Sequence, residues 1–272
     1  MRRRRAVALA VVLLLALTAY VGWTLLRTDR HGAQVEKWSM KSRLLGRSID
    51  EAGIVPKGGG KRPLLVLLHG RGGSPDGMLQ QELFDGLRDL GARAPAVVVA
   101  NGGDHSYYHD RRDGRWGSYL LKEVVPDAVK RLGADPSRIA IGGTSMGGYG
   151  ALLATSRDHR FCAVGGHSAA LWPQAGASAE GAFDDADDYA RNDVYGTAMR
   201  NPRTWRGMRV WIDVGRDDPF READHNVAAA LRRGGVSVTE HVWPGAHGDG
   251  YFTKHLTRYI AWYGRVLASC RR

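Results

Sequence analysis

The sequence predicts an α/β protein with a mostly parallel sheet covered by helices on both faces. Three observations predict it. Residues 64–68 and 96–100 are uninterrupted apolar runs of strand length, the pattern of strands buried on both faces. Such runs alternate with stretches of helical periodicity, which argues for crossover connections and a parallel sheet. The third observation is a junction. An apolar run at 139–141 enters Gly143-Thr144-Ser145-Met146-Gly147, and an apolar, helix-compatible run at 151–154 follows. This is Gly-x-Ser-x-Gly in a strand–turn–helix setting.

That setting gives the serine its meaning. A serine hydroxyl is a weak nucleophile until a base takes its proton. A sharp turn lifts it off the sheet, and the flanking glycines make room where a Cβ would clash. The turn also sets the Met146 N–H at a helix start, aimed where negative charge develops.

The chain has 272 residues, enough for one large α/β domain. At 43% hydrophobic and 25% charged residues it reads as globular. The formal charge is +11, but outside Arg2 to Arg5 the basic residues are scattered along the chain. No Lys/Arg stripe interleaved with aromatics appears, so a nucleic-acid partner is not expected. The surplus suits anionic surroundings such as a cell envelope.

Arg2-Arg3-Arg4-Arg5 precedes an uncharged run at 6–26, long enough to cross a bilayer. The charge distribution expects an uncleaved signal anchor at 1–27 with an extracytoplasmic domain beyond it. A cleaved signal peptide and a secreted protein form the rival expectation. Cys162 and Cys270 could pair in an oxidising compartment or stay as buried thiols, and two thiols lack the spacing of a zinc site.

Residues 28–38 read as a polar tether, and the catalytic domain is expected at 39–272. Residues 42–46 and 48–55 read as an antiparallel pair at the sheet edge. The strand at 64–68 ends in His69-Gly70-Arg71-Gly72. A helix at 77–90 places Leu79, Leu83, Leu87 and Leu90 at helical spacing. After the strand at 96–100, residues 101–117 form a polar, aromatic loop. A helix at 119–132 carries Pro126, which is expected to kink it. The elbow helix covers 146–157, and a strand covers 161–166. Residues 172–206, rich in Gly, Ala and Asp, read as an insertion or cap with short helices. A strand at 210–214, a helix at 221–233, a strand at 237–242 and a helix at 251–267 complete the order.

A serine hydrolase of this architecture takes its partners in the order Ser, acid, His. The strand at 210–214 runs into Gly215-Arg216-Asp217-Asp218, and the strand at 237–242 is followed by His247. The ordinary alternatives are a helix-capping aspartate and an exposed loop histidine. Ordered placement of three loop residues favours Ser145, one acid of the pair Asp217 and Asp218, and His247. Met146 and Arg71 are the expected oxyanion donors through their backbone N–H groups, with Gly72 next in line. His69 is read as holding that loop.

The residues at 64–70, Trp116-Gly117-Ser118-Tyr119-Leu120, Glu123-Val124-Val125-Pro126 and above all Ser145-Met146-Gly147-Gly148-Tyr149-Gly150-Ala151-Leu152 resemble the Putative esterase family of α/β-hydrolases. That family includes S-formylglutathione hydrolases, feruloyl and acetyl-xylan esterases and antigen-85-type mycolyltransferases. The likeness covers roughly 42–267. It implies the α/β-hydrolase fold, a Ser–Asp–His triad, no metal and no organic cofactor. It also favours Asp218 over Asp217, since family members commonly place the acid three residues after a strand-closing glycine. Residues 172–206 match no subfamily.

The loop at 104–110 has a metal reading through His105 and His109. It reads better as a substrate wall, with Tyr107 and Trp116 supplying apolar area, or as a plain surface loop. Gly72, His167 and Ser168 are further expected cleft residues. The acidic run at 184–188 reads as a solvated helix face, since it lacks the glycine of a calcium loop. The expected function is a serine esterase acting on a small-molecule, glycan or lipid ester. The alternatives are an acyltransferase that passes the acyl group to a sugar or lipid alcohol, a peptidase, and a non-catalytic envelope-binding domain. Oligomeric state is left open.

Overall fold

The computed structural model describes residues 28–270, and the expected membrane anchor at 1–27 lies outside them. Among the described residues no helix is long and apolar enough to cross a membrane. Residues from His31 onward form one compact unit. Strand β1 (Gln34–Lys41) pairs antiparallel with β2 (Ser48–Val55). Strand β3 (Arg62–Leu68) leads to α1 (Gln81–Leu90), and β4 (Ala96–Ala100) follows. A two-residue hairpin, β5 (Asp110–Arg111) with β6 (Gly114–Arg115), precedes α2 (Trp116–Tyr119). A π-helical stretch, Leu120–Val124, joins α2 to α3 (Val125–Arg131) in unbroken helical backbone.

Strand β7 (Ala134–Thr144) enters α4 (Met146–Arg157), and β8 (Phe161–His167) follows. Two short helices, α5 (Ala186–Arg191) and α6 (Val194–Arg200), belong to a cap before β9 (Arg209–Gly215). Helix α7 (Arg221–Arg233), β10 (Ser237–Trp243) and α8 (Asp249–Ser269) end the domain. The sheet order is β1-β2-β4-β3-β7-β8-β9-β10. The run from β4 to β10 is parallel, and β2 is antiparallel to both its neighbours. This is the expected α/β-hydrolase arrangement.

The alternation of a strand explains the two apolar layers. In β3, Leu64, Val66 and Leu68 face one layer, while Leu65 and Leu67 face the other. The first layer is built with α2 to α4, α7 and the cap. The second is built with α1 and α8. Cys162 at the start of β8 and Cys270 beyond α8 form a disulfide, with a Cα–Cα distance of 6.0 Å. The disulfide resolves the open cysteine alternative and ties the last helix to the sheet.

One expectation changes and another is refined. The partner of β2 is residues 34–41, in the stretch expected as tether, and residues 42–47 turn the chain between the two strands. Trp38 and Met40 pack on the core, so the catalytic domain starts before residue 39. Lys37 and Lys41 hid the strand, because an edge strand tolerates charge on its solvent side. The irregularity expected at Pro126 takes the form of a π-helical turn within continuous helical backbone. The π-helical turn before it shifts the hydrogen-bond ladder, and the proline falls in the first turn of α3, where its missing N–H costs little.

Candidate active site

Ser145 joins β7 to α4 with φ 55° and ψ −114°, a left-handed backbone that a non-glycine residue adopts only under constraint. The constraint is visible. Its N–H donates to the His167 carbonyl at 3.0 Å, and its own carbonyl accepts from Tyr149 and Ala170. The two motif glycines are required by close approach. A Cβ on Gly147 would stand 2.2 Å from the Leu68 carbonyl oxygen, and one on Gly143 2.5 Å from the same atom.

The loops after β9 and β10 bring partners to the serine. His247 Nε2 is 2.9 Å from Ser145 Oγ, and His247 Nδ1 is 2.9 Å from Asp218 Oδ2. With the carboxylate accepting from Nδ1–H, Nε2 is left to accept the serine proton. Asp218 Oδ1 accepts from the Phe220 N–H at 2.8 Å. Burial by itself would raise the Asp218 pKa. The His247 and Phe220 hydrogen bonds outweigh it and hold the carboxyl below its ordinary value of 3.8. The His247 side chain keeps 27% exposure while the Asp218 side chain keeps none, so the chain runs from buried acid to open cleft. Asp217 is exposed, and its N–H is given to the Gly245 carbonyl at 2.9 Å.

The loop after β3 faces the serine. His69 is buried, with Nδ1–H donating to the Gly70 carbonyl at 2.8 Å and Nε2 accepting from the Gly102 N–H at 3.0 Å. Burial lowers its pKa below 6.5, and the Gly102 bond requires the neutral ring. This is the loop-holding role expected of it. The Gly72 N–H is committed to the Asp104 carbonyl and the Gly73 N–H to the Gly70 carbonyl. Gly72 therefore lines the cleft but is not a second oxyanion donor. The Arg71 side chain reaches the cap, donating to the Glu180 carbonyl at 3.1 Å. Met146 opens α4, and the first N–H groups of a helix have no partner within it.

A cleft of about 560 Å³ opens over Ser145 and His247, within the range of small-molecule sites. Arg71, Gly72 and Tyr107 line it as expected. Three expected residues do not. His167 is buried between Asp213 and Tyr263. Trp116 is buried against Tyr119 under the Arg47 guanidinium, away from the cleft. Ser168 is fully buried beside Asp218, its N–H given to the Asp213 carbonyl at 2.7 Å. Their places are taken by Trp172, Phe220 and Phe252, which the sequence reading missed. Phe220 and Phe252 both present ring contacts to His247, with centroids 5.2 and 5.7 Å away. Phe220 stands two residues after the acid, and that adjacency was its available signal.

The other polar candidates have structural partners. His109 is buried and donates to Asp188 at 3.0 Å, and Asp184 holds Arg111. The acidic run is thus tied to the loop at 104–112 and is not a purely solvated face. Among the described residues no group of three or more His, Cys, Asp or Glu is placed to hold a metal ion.

The family model described as Putative esterase matches residues 42–263. The chain belongs to this family. This esterase-family chain is 24% identical over 226 residues to an esterase of Mycobacterium tuberculosis strain H37Rv. The match covers 68% of this chain and 48% of that protein, so the chain spans about half the length of the curated relatives it matches. A ferulic acid esterase structure superposes with TM-score 0.75 at 23% identity, covering 86% of this chain and 98% of that one. An S-formylglutathione hydrolase from Agrobacterium tumefaciens superposes with TM-score 0.73 at 19% identity, over 87% and 96% of the two chains. MPT51 of Mycobacterium tuberculosis gives TM-score 0.66 at 20% identity, over 88% and 99%. These structural likenesses show the α/β-hydrolase fold.

Proposed function

We propose that this protein is a serine esterase working through an acyl-enzyme. The observation that carries the reading is the hydrogen-bonded chain from Asp218 through His247 to Ser145, at 2.9 Å for each link, ending in an open cleft. In this reading Ser145 Oγ attacks the ester carbonyl as His247 Nε2 takes its proton. The carbonyl electrons move onto oxygen, where the Met146 and Arg71 N–H groups receive them. The carbonyl re-forms, the bond to the leaving oxygen breaks, and His247 gives the proton to the departing alcohol. Water then enters, loses a proton to His247 and attacks the acyl carbon. The acid is released and Ser145 regains its proton. Asp218 fixes the tautomer and steadies the imidazolium.

Tyr107, Trp172 and Phe220 give the cleft apolar walls, which suit the acyl or alcohol part of an organic ester. The chemistry as drawn needs no metal or organic cofactor. The disulfide supports an oxidising, extracytoplasmic compartment. The Arg cluster and apolar run at the amino terminus support attachment to a membrane facing it.

The test is labelling with a fluorophosphonate, followed by a panel of short acyl esters, feruloyl and acetylated sugars and glycolipids. Labelling of the native protein but not of Ser145→Ala is expected. An unlabelled native protein, or equal labelling of both, removes the reading. Product analysis with added alcohols separates hydrolysis from acyl transfer.

A further inference from the structure

The edge of the sheet opposite the cleft gathers exposed basic residues that have few acidic partners. In a parallel sheet every loop that leads into a strand lies on the edge away from the strands' carboxyl ends. Each such connection here carries a lysine or arginine, in the loop or at the end of the helix before it: Lys61 before β3, Arg93 before β4, Lys130 before β7, Arg160 before β8, Arg206 before β9 and Arg233 before β10. All six are exposed, and among the described residues only Arg160 is in an ion pair, with Asp158. The acids that share this edge are largely neutralised locally, Asp135 by Arg138 and Asp127 by Arg131. The cleft edge is mixed: Asp76, Asp104 and Asp185 are paired there with Lys37, His105 and Arg112, and exposed Asp217 stands beside exposed Arg216 and Arg221.

The basic edge also has a recess. A cleft of about 370 Å³ is lined by Arg200, Asn201, Pro202, Arg203, Arg233 and Gly234. Arg200 pairs with Asp193, whereas Arg203 and Arg233 make no ion pair among the described residues. The Arg206 guanidinium lies against Gly235 beside it. Guanidinium groups grouped in this way match phosphate oxygens.

Both ends of the domain reach this edge. Gln34, the first residue of β1, pairs with Val55 at the end of β2, level with the start of β4. Cys270 is tied to Cys162 at the start of β8. The segment carrying Arg2 to Arg5 and the uncharged run at 6–26 therefore joins the domain at its basic edge. An anionic polymer would also meet the charge. The entry point of an apolar segment singles out a bilayer.

We propose that this edge docks on a bilayer rich in anionic phospholipid, with the recess between Arg203 and Arg233 receiving a headgroup phosphate and the catalytic cleft turned toward water. Each lysine or arginine brought near an anionic bilayer strengthens partition about fivefold, and the gain decays within a Debye length of about 10 Å at 0.1 M salt. A spanning segment would keep the chain at the membrane, and the basic edge would set which face of the domain meets it.

The inference is tested on residues 31–272, which contain both apolar layers and the disulfide and form one compact unit. Co-sedimentation is measured with vesicles of phosphatidylcholine alone and of equal parts phosphatidylcholine and phosphatidylglycerol. Binding to the anionic vesicles only, lost as salt is raised, is expected. Arg203→Glu/Arg233→Glu should weaken it by about 25-fold or more, since two charges are reversed. Lys57→Glu/Lys61→Glu, in a separate loop on the same edge, should act alike. Lys41→Glu/Arg43→Glu makes the same charge change at the opposite edge and should have a much smaller effect. Circular dichroism of each variant checks the fold. Failure to bind anionic vesicles overturns the proposal, as does binding that survives both basic-edge pairs. Retention on heparin without vesicle binding overturns the lipid assignment in favour of an anionic polymer. None of these outcomes depends on the esterase reading.

Discussion

Two aspartate–histidine pairs stand on neighbouring parts of the same sheet, and they differ in what remains free. In the pair Asp218–His247, the imidazole is partly exposed and its Nε2 faces Ser145. In the pair Asp213–His167, the Nδ1 link is 2.6 Å, but both side chains are almost wholly buried. His167 Nε2 accepts from the Tyr263 hydroxyl at 3.0 Å. Asp213 also accepts from Trp211 Nε1 at 2.6 Å and from the Tyr251 and Tyr259 hydroxyls at 2.8 and 2.7 Å. Burial first, and then the Asp213 charge, keep those two phenols protonated well above their ordinary value of 10. A histidine beside an acid is thus not by itself a base. Burial against a tyrosine makes one pair a structural brace, and a serine partner at the open cleft makes the other fit for proton transfer.

The largest expected effects test the open pair. Ser145→Ala should abolish burst-phase acylation and lower kcat on any accepted ester by about 10⁴ or more, with circular dichroism unchanged. Asp218→Asn should lower kcat by about 10⁴ through the wrong histidine tautomer. Asp217→Asn should remain near the native rate, since its side chain lies outside the pair. If Asp217→Asn is the crippled variant, the acid has been assigned one residue late.

The buried pair should respond in stability. Asp213→Asn leaves buried donors without a full set of acceptors, and urea denaturation should show a loss of about 3–5 kcal/mol. Ester turnover by the fraction that remains folded should fall much less than in Asp218→Asn. A loss of kcat equal to that of Asp218→Asn, with unchanged urea stability, would collapse the distinction between the two pairs. Tyr263→Phe should cost about 1 kcal/mol, the worth of a typical hydrogen bond, with little change in kcat.

The smallest effect is on pH dependence. Burial depresses the pKa values of His69, His109, His241 and His255 below 6.5. The unfolded chain therefore protonates first as pH falls through about 6.5, and the four histidines oppose folding more at each step toward their folded values. Glu51 acts in the opposite sense. Burial raises its pKa to about 8 from 4.5, so its cost is absent below 4.5 and grows as pH rises toward 8. Glu51→Gln removes that opposing slope. Its melting temperature should then rise more steeply from pH 5 to 8 than that of the native protein, and an unchanged slope would contradict the buried-acid account.

Local chemistry made much of this protein legible from sequence alone. The apolar runs at 64–68 and 96–100 specify buried strands, because a strand covered on both faces has no place for polar side chains. The elbow was legible because Gly143 and Gly147 are demanded by backbone atoms within the turn and the adjoining strand. Ser145, His247 and an acid at 217 or 218 could be read as a set from their order at strand ends, and the family resemblance favoured Asp218. Tertiary structure decided the rest. Trp116 and Ser168 look like cleft residues by position in the chain, but packing directs one under Arg47 and buries the other beside Asp218. The strand at 34–41 appears only when β2 supplies its hydrogen-bonding partner. The disulfide needed a distance across the fold that no spacing reveals. The basic residues show the same division. Lys61, Arg93, Lys130, Arg160, Arg206 and Arg233 are scattered along the chain, and they share one edge because a parallel sheet returns every strand to the same side before it begins.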